Sequence, residues 1–73
     1  MKSEEIRNLL HAAPFVPFAV HMADGKVFTV DRPDFATLFR DGRTLFLNFE
    51  GSRFAMIDVP LILRIEGIST EHA

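Results

Sequence analysis

Three glycine-centred turns, Ala23-Asp24-Gly25, Asp41-Gly42-Arg43 and Glu50-Gly51-Ser52, divide this chain into short apolar runs, and a further run follows Pro60. Glycine reaches the positive backbone φ that tight hairpin turns need, so this punctuation writes a meander of antiparallel strands. Short strands joined at regular intervals suit a barrel or a sandwich, and 73 residues favour the barrel. The expected fold is mainly β with one N-terminal helix: a small, strongly bent antiparallel sheet, or a five-stranded barrel. It fills a single domain over residues 1–73, with a helix at 3–13, a β meander at 15–66 and a frayed tail at 68–73.

The helix is read from capping and period. Ser3 serves as N-cap, Glu4 and Glu5 suit the positive end of the helix dipole, and Ile6, Leu9, Leu10 and Ala13 form one apolar stripe. Pro14 stops it, since proline lacks an N–H and disfavours α geometry in the residue before it. A helix this short is unstable alone, so it docks on the sheet. Pro14-Phe15-Val16-Pro17-Phe18 is then an extended approach to the first strand. Its P-x-x-P spacing has no basic flank, and the structural reading outweighs a signalling-domain ligand.

The first hairpin admits two registers. A three-residue loop at 23–25 pairs Met22 with Lys26 and collects Phe18, Val20, Met22, Phe28 and Val30 on one face. A two-residue loop mixes apolar and polar positions, so the three-residue loop is favoured, with Gly25 as its left-handed residue. Residues Phe35 to Phe39 suit either one helical turn or a short strand. In the next hairpin a two-residue Gly51-Ser52 turn sets Phe49 opposite Phe54 and Leu47 opposite Met56. Leu61, Leu63 and Ile65 alternate along the last strand. The expected core is therefore Leu9, Leu10, Phe18, Val20, Phe28, Leu47, Phe49, Phe54, Met56 and Leu63.

Chemistry is sparse. The absence of cysteine removes disulfides and thiolate metal sites, and His11, His21 and His72 lie too far apart in sequence for a zinc ligand set. Ser3, Ser52 and Ser69 fall at a cap, a turn and the tail, away from any histidine motif. Asp31, Asp34, Asp41 and Asp58 fall at turns or a strand end, where Asp bonds local backbone amides. There is no glycine-rich phosphate loop. These observations point to no enzyme, no cofactor and no metal. A charged N-terminus and the lack of a ~20-residue apolar run point to a cytoplasmic protein without a membrane span. Eight basic residues against ten acidic ones, a net charge of −2, disfavour a polyanionic partner.

The order of elements, the hairpin Phe18-Ala-Val-His-Met-Ala-Asp-Gly25 and the closing Met56-Ile-Asp-Val-Pro-Leu-Ile-Leu-Arg-Ile65 resemble the Sm-like fold of Hfq and the Sm proteins, a small SH3-like barrel. The chain is also similar to small bacterial proteins with the same Pro-Phe-x-Pro-Phe approach and Asp-Gly hairpin, for which no activity is established. The Sm-like resemblance implies closed rings joined by edge-strand pairing, with single-stranded RNA as ligand. It departs at two signatures: Arg32 to Phe39 holds no Asn, and Asp58-Val59 stands near where the family carries Arg-Gly or Lys-His.

Two functional expectations follow. The first is a non-catalytic homo-oligomeric interaction or scaffold module with a protein-facing surface, its oligomer interface built from Phe46, Ala55, Ile57 and Ile62. The alternative is an Sm-like ring binding single-stranded RNA, with Arg40, Arg43 and Arg53 on phosphates and Phe35 or Phe39 as a stacking platform. Solvated turn charges and core phenylalanines are the commoner roles for those residues.

Overall fold

A computed structural model describes residues 2–68. The chain is mainly β with one N-terminal helix, in the order α1 (Ser3–Leu10), β1 (Phe18–Met22), β2 (Val27–Val30), a 3-10 turn (Pro33–Phe35), β3 (Ala36–Leu38), β4 (Thr44–Asn48), β5 (Phe54–Asp58), a second 3-10 turn (Val59–Leu61) and β6 (Ile62–Gly67). The six strands make two three-stranded antiparallel sheets, β2-β1-β6 and β3-β4-β5. The expected barrel closure does not occur. Both breaks between the sheets fall at a proline-bearing 3-10 turn, where Pro33 and Pro60 withhold a ladder donor. The ambiguity over 35–39 resolves as the end of one such turn followed by β3.

The helix is shorter than expected. Lys2, not Ser3, is its N-cap, and Glu5 folds back to accept a hydrogen bond from the Lys2 N–H at 3.3 Å. His11 closes the far end, its N–H donating to the Arg7 carbonyl. Because Pro14 cannot donate to Leu10 and restricts Ala13, the last turn of the expected 3–13 helix is not built. Ile6 is fully buried while Leu9 and Leu10 are partly so, which places the helix on the core beside β3.

The first hairpin adopts the expected register, with Val20 opposite Phe28 and Phe18 opposite Val30. The Gly25 N–H bonds to the Met22 carbonyl, and Gly25 takes φ +93°. The β4–β5 hairpin does not adopt the expected register. Its loop has three residues, 50–52, closed by the Phe49 N–H on the Arg53 carbonyl, so Asn48 rather than Phe49 opposes Phe54. A slip of one residue turns every β5 side chain over. Ala55 and Ile57 therefore face the core, while Phe54 and Met56, expected inside, are 59% and 56% exposed.

A second irregularity displaces Leu63. Met22 pairs with Ile62 but His21 with Arg64, so Leu63 is the extra residue of a bulge. Ile62 is buried and Ile65 partly buried, and Leu63 is pushed out to 68% exposure. The core between the sheets consists of Ile6, Phe18, Val20, Met22, Val30, Ala36, Leu45, Leu47, Ile57, Val59 and Ile62. Phe28 and Phe49, expected in the core, are half-buried and stack on each other across the two sheets at 5.9 Å. Of the tail expected at 68–73, only Ile68 lies within the described residues; its N–H donates to the Pro17 carbonyl at 2.7 Å. No helix among the described residues is long and apolar enough to cross a membrane.

Candidate functional site

The outer face of β3-β4-β5 follows from the register. Alternation sends Leu45, Leu47, Ala55 and Ile57 inward, and leaves Thr37 and Phe39, Phe46 and Asn48, and Phe54 and Met56 outward. Three of the outward residues form a ladder of rings. Phe39 and Phe46 stack at 6.5 Å and 11°, and Phe46 and Phe54 at 5.2 Å and 12°. Met56, directly opposite Phe46 in the ladder, extends the row across β5. On a sheet face turned to water, alternation ordinarily supplies polar residues. Here Phe39, Phe46, Phe54 and Met56 share the face with Thr37, Thr44, Asn48 and Asp58.

This geometry rearranges the expected oligomer surface. Ile57 and Ile62 are 8% and 4% exposed and belong to the protein's own core, and Ala55 packs against that core. Phe46 is the one member of that set on the outer face. Phe54, Met56 and Leu63 take the outside positions instead, for the register slip and the bulge already described. Leu61, 52% exposed, lies on the corner that leads into β6. The signal for this arrangement is apolar residues on both faces of β4 and β5; the pattern reads correctly for β4 and with the two faces of β5 exchanged.

The residues expected to meet RNA separate into two groups. Phe39, Arg40 and Arg43 stand at the β3–β4 turn, where Arg43 caps its own loop through an N–H bond to Asp41 Oδ1 at 2.9 Å. Arg53 and Phe35 lie toward the other end of β4, sharing a hollow with Asp31, Asn48, Phe49 and Glu50. Five residues of strand separate the groups, roughly 16 Å at ~3.3 Å per residue. Phe35 is already engaged, with the Arg32 guanidinium 5.8 Å over its ring. No single groove gathers all five residues.

His21 is the histidine best placed for chemistry. It sits half-buried on β1, with Nε2 2.7 Å from Glu66 Oε1 but not aligned for a hydrogen bond, and Arg64 Nη2 approaches the same oxygen at 3.5 Å. The serines among the described residues are Ser3 at the helix start and Ser52 in the β4–β5 loop, neither on the strands that hold His21 and Glu66. Among the described residues no three His, Cys, Asp or Glu side chains gather closely enough to hold a metal ion.

No family model matches the chain, and no curated protein and no solved structure matches it either.

Proposed function

We propose that this protein is a non-catalytic interaction module that works as a homo-oligomer, with the outer face of β3-β4-β5 as its contact surface. The observation that carries the reading is the outward ladder Phe39-Phe46-Phe54, its middle ring half-buried and its ends exposed, with exposed Met56 beside it. Aromatic rings and methionine are the side chains enriched at the centres of protein interfaces, and a ladder of like rings is complementary to itself. Phe39, Phe54 and Met56 alone leave on the order of 300 Å² open, taking roughly 200 Å² for a whole large apolar side chain. That is the size of the largest apolar patch on an ordinary monomer and less than the ~800 Å² per partner of a standard interface. The ladder is thus the centre of the contact. Leu61, Leu63 and the free edges of β5 and β6 supply the remainder, and strand pairing there would satisfy edge amides. A cytoplasmic setting accords with this reading.

Sedimentation velocity tests it. At micromolar concentration the chain should sediment as a species heavier than its 8.3 kDa monomer mass, and Met56→Glu should return it to that mass. Met56 is 56% exposed, so the substitution leaves the core intact. An 8.3 kDa wild-type species at every concentration would sink the proposal.

The alternative of a single-stranded RNA-binding ring is favoured by one observation, the placement of Arg53 among phenylalanine rings. Fluorescence polarisation with labelled oligo-U and oligo-A at low salt addresses it. Binding that falls steeply with salt and disappears in Arg43→Glu would support a ring using both ends of β4.

A further inference from the structure

Three of the hollows on the described surface differ in charge. The one under α1 is bordered by Asp34, and the one beside Phe35 by Asp31 and Glu50. The third lies where the start of β2 faces the β4–β5 turn. It measures about 630 Å³ and is bounded by Lys26, Phe28, Phe49, Ser52, Arg53, Phe54 and Ala55, with no carboxylate. In a chain of net charge −2, this is the hollow that acids avoid.

We propose that this cleft binds a small organic phosphate with a planar body, of the nucleoside monophosphate class. Its volume falls within the ~300–1,000 Å³ usual for small-molecule sites. The Lys26 ammonium and Arg53 guanidinium make no ion pair among the described residues, where the ion pairs are His21–Glu66 and Arg64–Glu66. Two free cations on one acid-free cleft match the charge of a phosphate monoester, and the guanidinium fork can hold two of its oxygens. Phe28 and Phe49 occupy each other, stacked at 5.9 Å and 22°, so a base lies over that pair, not between the two. Ser52 offers a hydroxyl for the sugar or phosphate. Across Arg53 the acids of the neighbouring hollow repel the anion and leave it one side to occupy. The site needs no second copy of the chain, but it borders the proposed contact surface at Phe54, so the monomeric variant is titrated beside the parent.

The test is a titration of the isotope-labelled full chain followed by amide NMR, with adenosine monophosphate, uridine monophosphate, adenosine, inorganic phosphate and hexa-adenylate as separate probes. The monophosphates should move the amides of Lys26, Phe28, Phe49 and 52–55 saturably. Adenosine and inorganic phosphate should each bind at least about tenfold more weakly. Arg53→Gln and Lys26→Gln should each weaken the monophosphates by roughly tenfold, the scale of one charge-assisted hydrogen bond. Both side chains are exposed, and the spectrum itself reports that the variants fold. Tighter, salt-sensitive binding of hexa-adenylate would identify a nucleic-acid strand as the source of the phosphate, and equal or weaker binding a free nucleotide. The proposal fails if millimolar monophosphate leaves these amides unmoved, if inorganic phosphate binds as well, or if both variants retain full affinity. The same titration on Met56→Glu, which should be monomeric, separates the two readings: monophosphate binding there stands whether or not the parent self-associates, and unmoved amides there overturn the site.

Discussion

At the scale of single residues, the three turn glycines look equivalent in the sequence but carry different constraints. Gly25, Gly42 and Gly51 all take positive φ, at +93°, +70° and +76°. A side chain at Gly25 or Gly51 would meet open space, whereas a Cβ on Gly42 would stand 2.9 Å from Ser3 Oγ and 3.2 Å from Ser3 Cβ. Gly42 therefore does two jobs: it turns the β3–β4 loop, its N–H on the Phe39 carbonyl, and it lets the first turn of α1 approach that loop. Gly42→Ala should cost more than Gly51→Ala. Left-handed strain alone is worth about 1–3 kcal/mol, and the Ser3 overlap adds to it only at position 42. Urea denaturation of the two variants checks this; equal midpoints would show that the helix yields freely. Ser3→Gly should recover part of the Gly42→Ala loss.

At the scale of elements, the contrast between the two long hairpins explains what could be read in advance. In β1–β2, one register placed Ala19, His21, Val27, Thr29 and Asp31 against a uniformly apolar opposite face, so polarity chose the loop length. In β4–β5 no such contrast exists. Leu45 and Leu47 alternate with Phe46, and Ala55 and Ile57 with Phe54 and Met56, so both registers offer an apolar face. The choice fell to a backbone hydrogen bond, Phe49 N–H to Arg53, that no side-chain pattern announces. The bulge at Leu63 was hidden for a similar reason, because Leu61, Leu63 and Ile65 alternate as a regular strand would. The presence of the helix, the places of the turns and the register of the first hairpin were legible; the length of the β4–β5 loop, the division into two sheets and the inside and outside of β5 and β6 were not. That reversal decides which residues can form the candidate site. It also yields a sharp expectation. Measured dilute enough for the chain to be monomeric, Leu63→Lys should leave thermal stability within about 0.5 kcal/mol of the parent, as exposed substitutions do, while the adjacent Ile62→Lys should unfold the protein or cost several kcal/mol by burying a charge. Thermal melts of both would reveal a wrong register if the order were reversed.

At the scale of the whole molecule, the core must hold the fold without disulfides and with a handful of fully buried side chains, the largest being Phe18, Ile6, Leu45 and Leu47. Domains of this size sit near the lower limit of independent stability. At the same time Val27, Phe54, Met56, Leu61 and Leu63 are each more than half exposed. Association would turn that liability into stability, since any partner that binds the folded chain and not the unfolded one raises the free energy of unfolding by mass action. If the ladder of β3-β4-β5 is a self-association surface, the melting temperature must depend on protein concentration. Over a hundredfold dilution a dimer loses about 2.7 kcal/mol per mole of dimer in the folding equilibrium, and the midpoint should fall by several degrees. Met56→Glu should melt at one temperature throughout that range, and it should lie below the concentrated parent because the contact is gone. A parent whose midpoint does not move with dilution would mean that the exposed rings are not covered by another copy of the chain, and the exposed face would then have to be matched to a different partner.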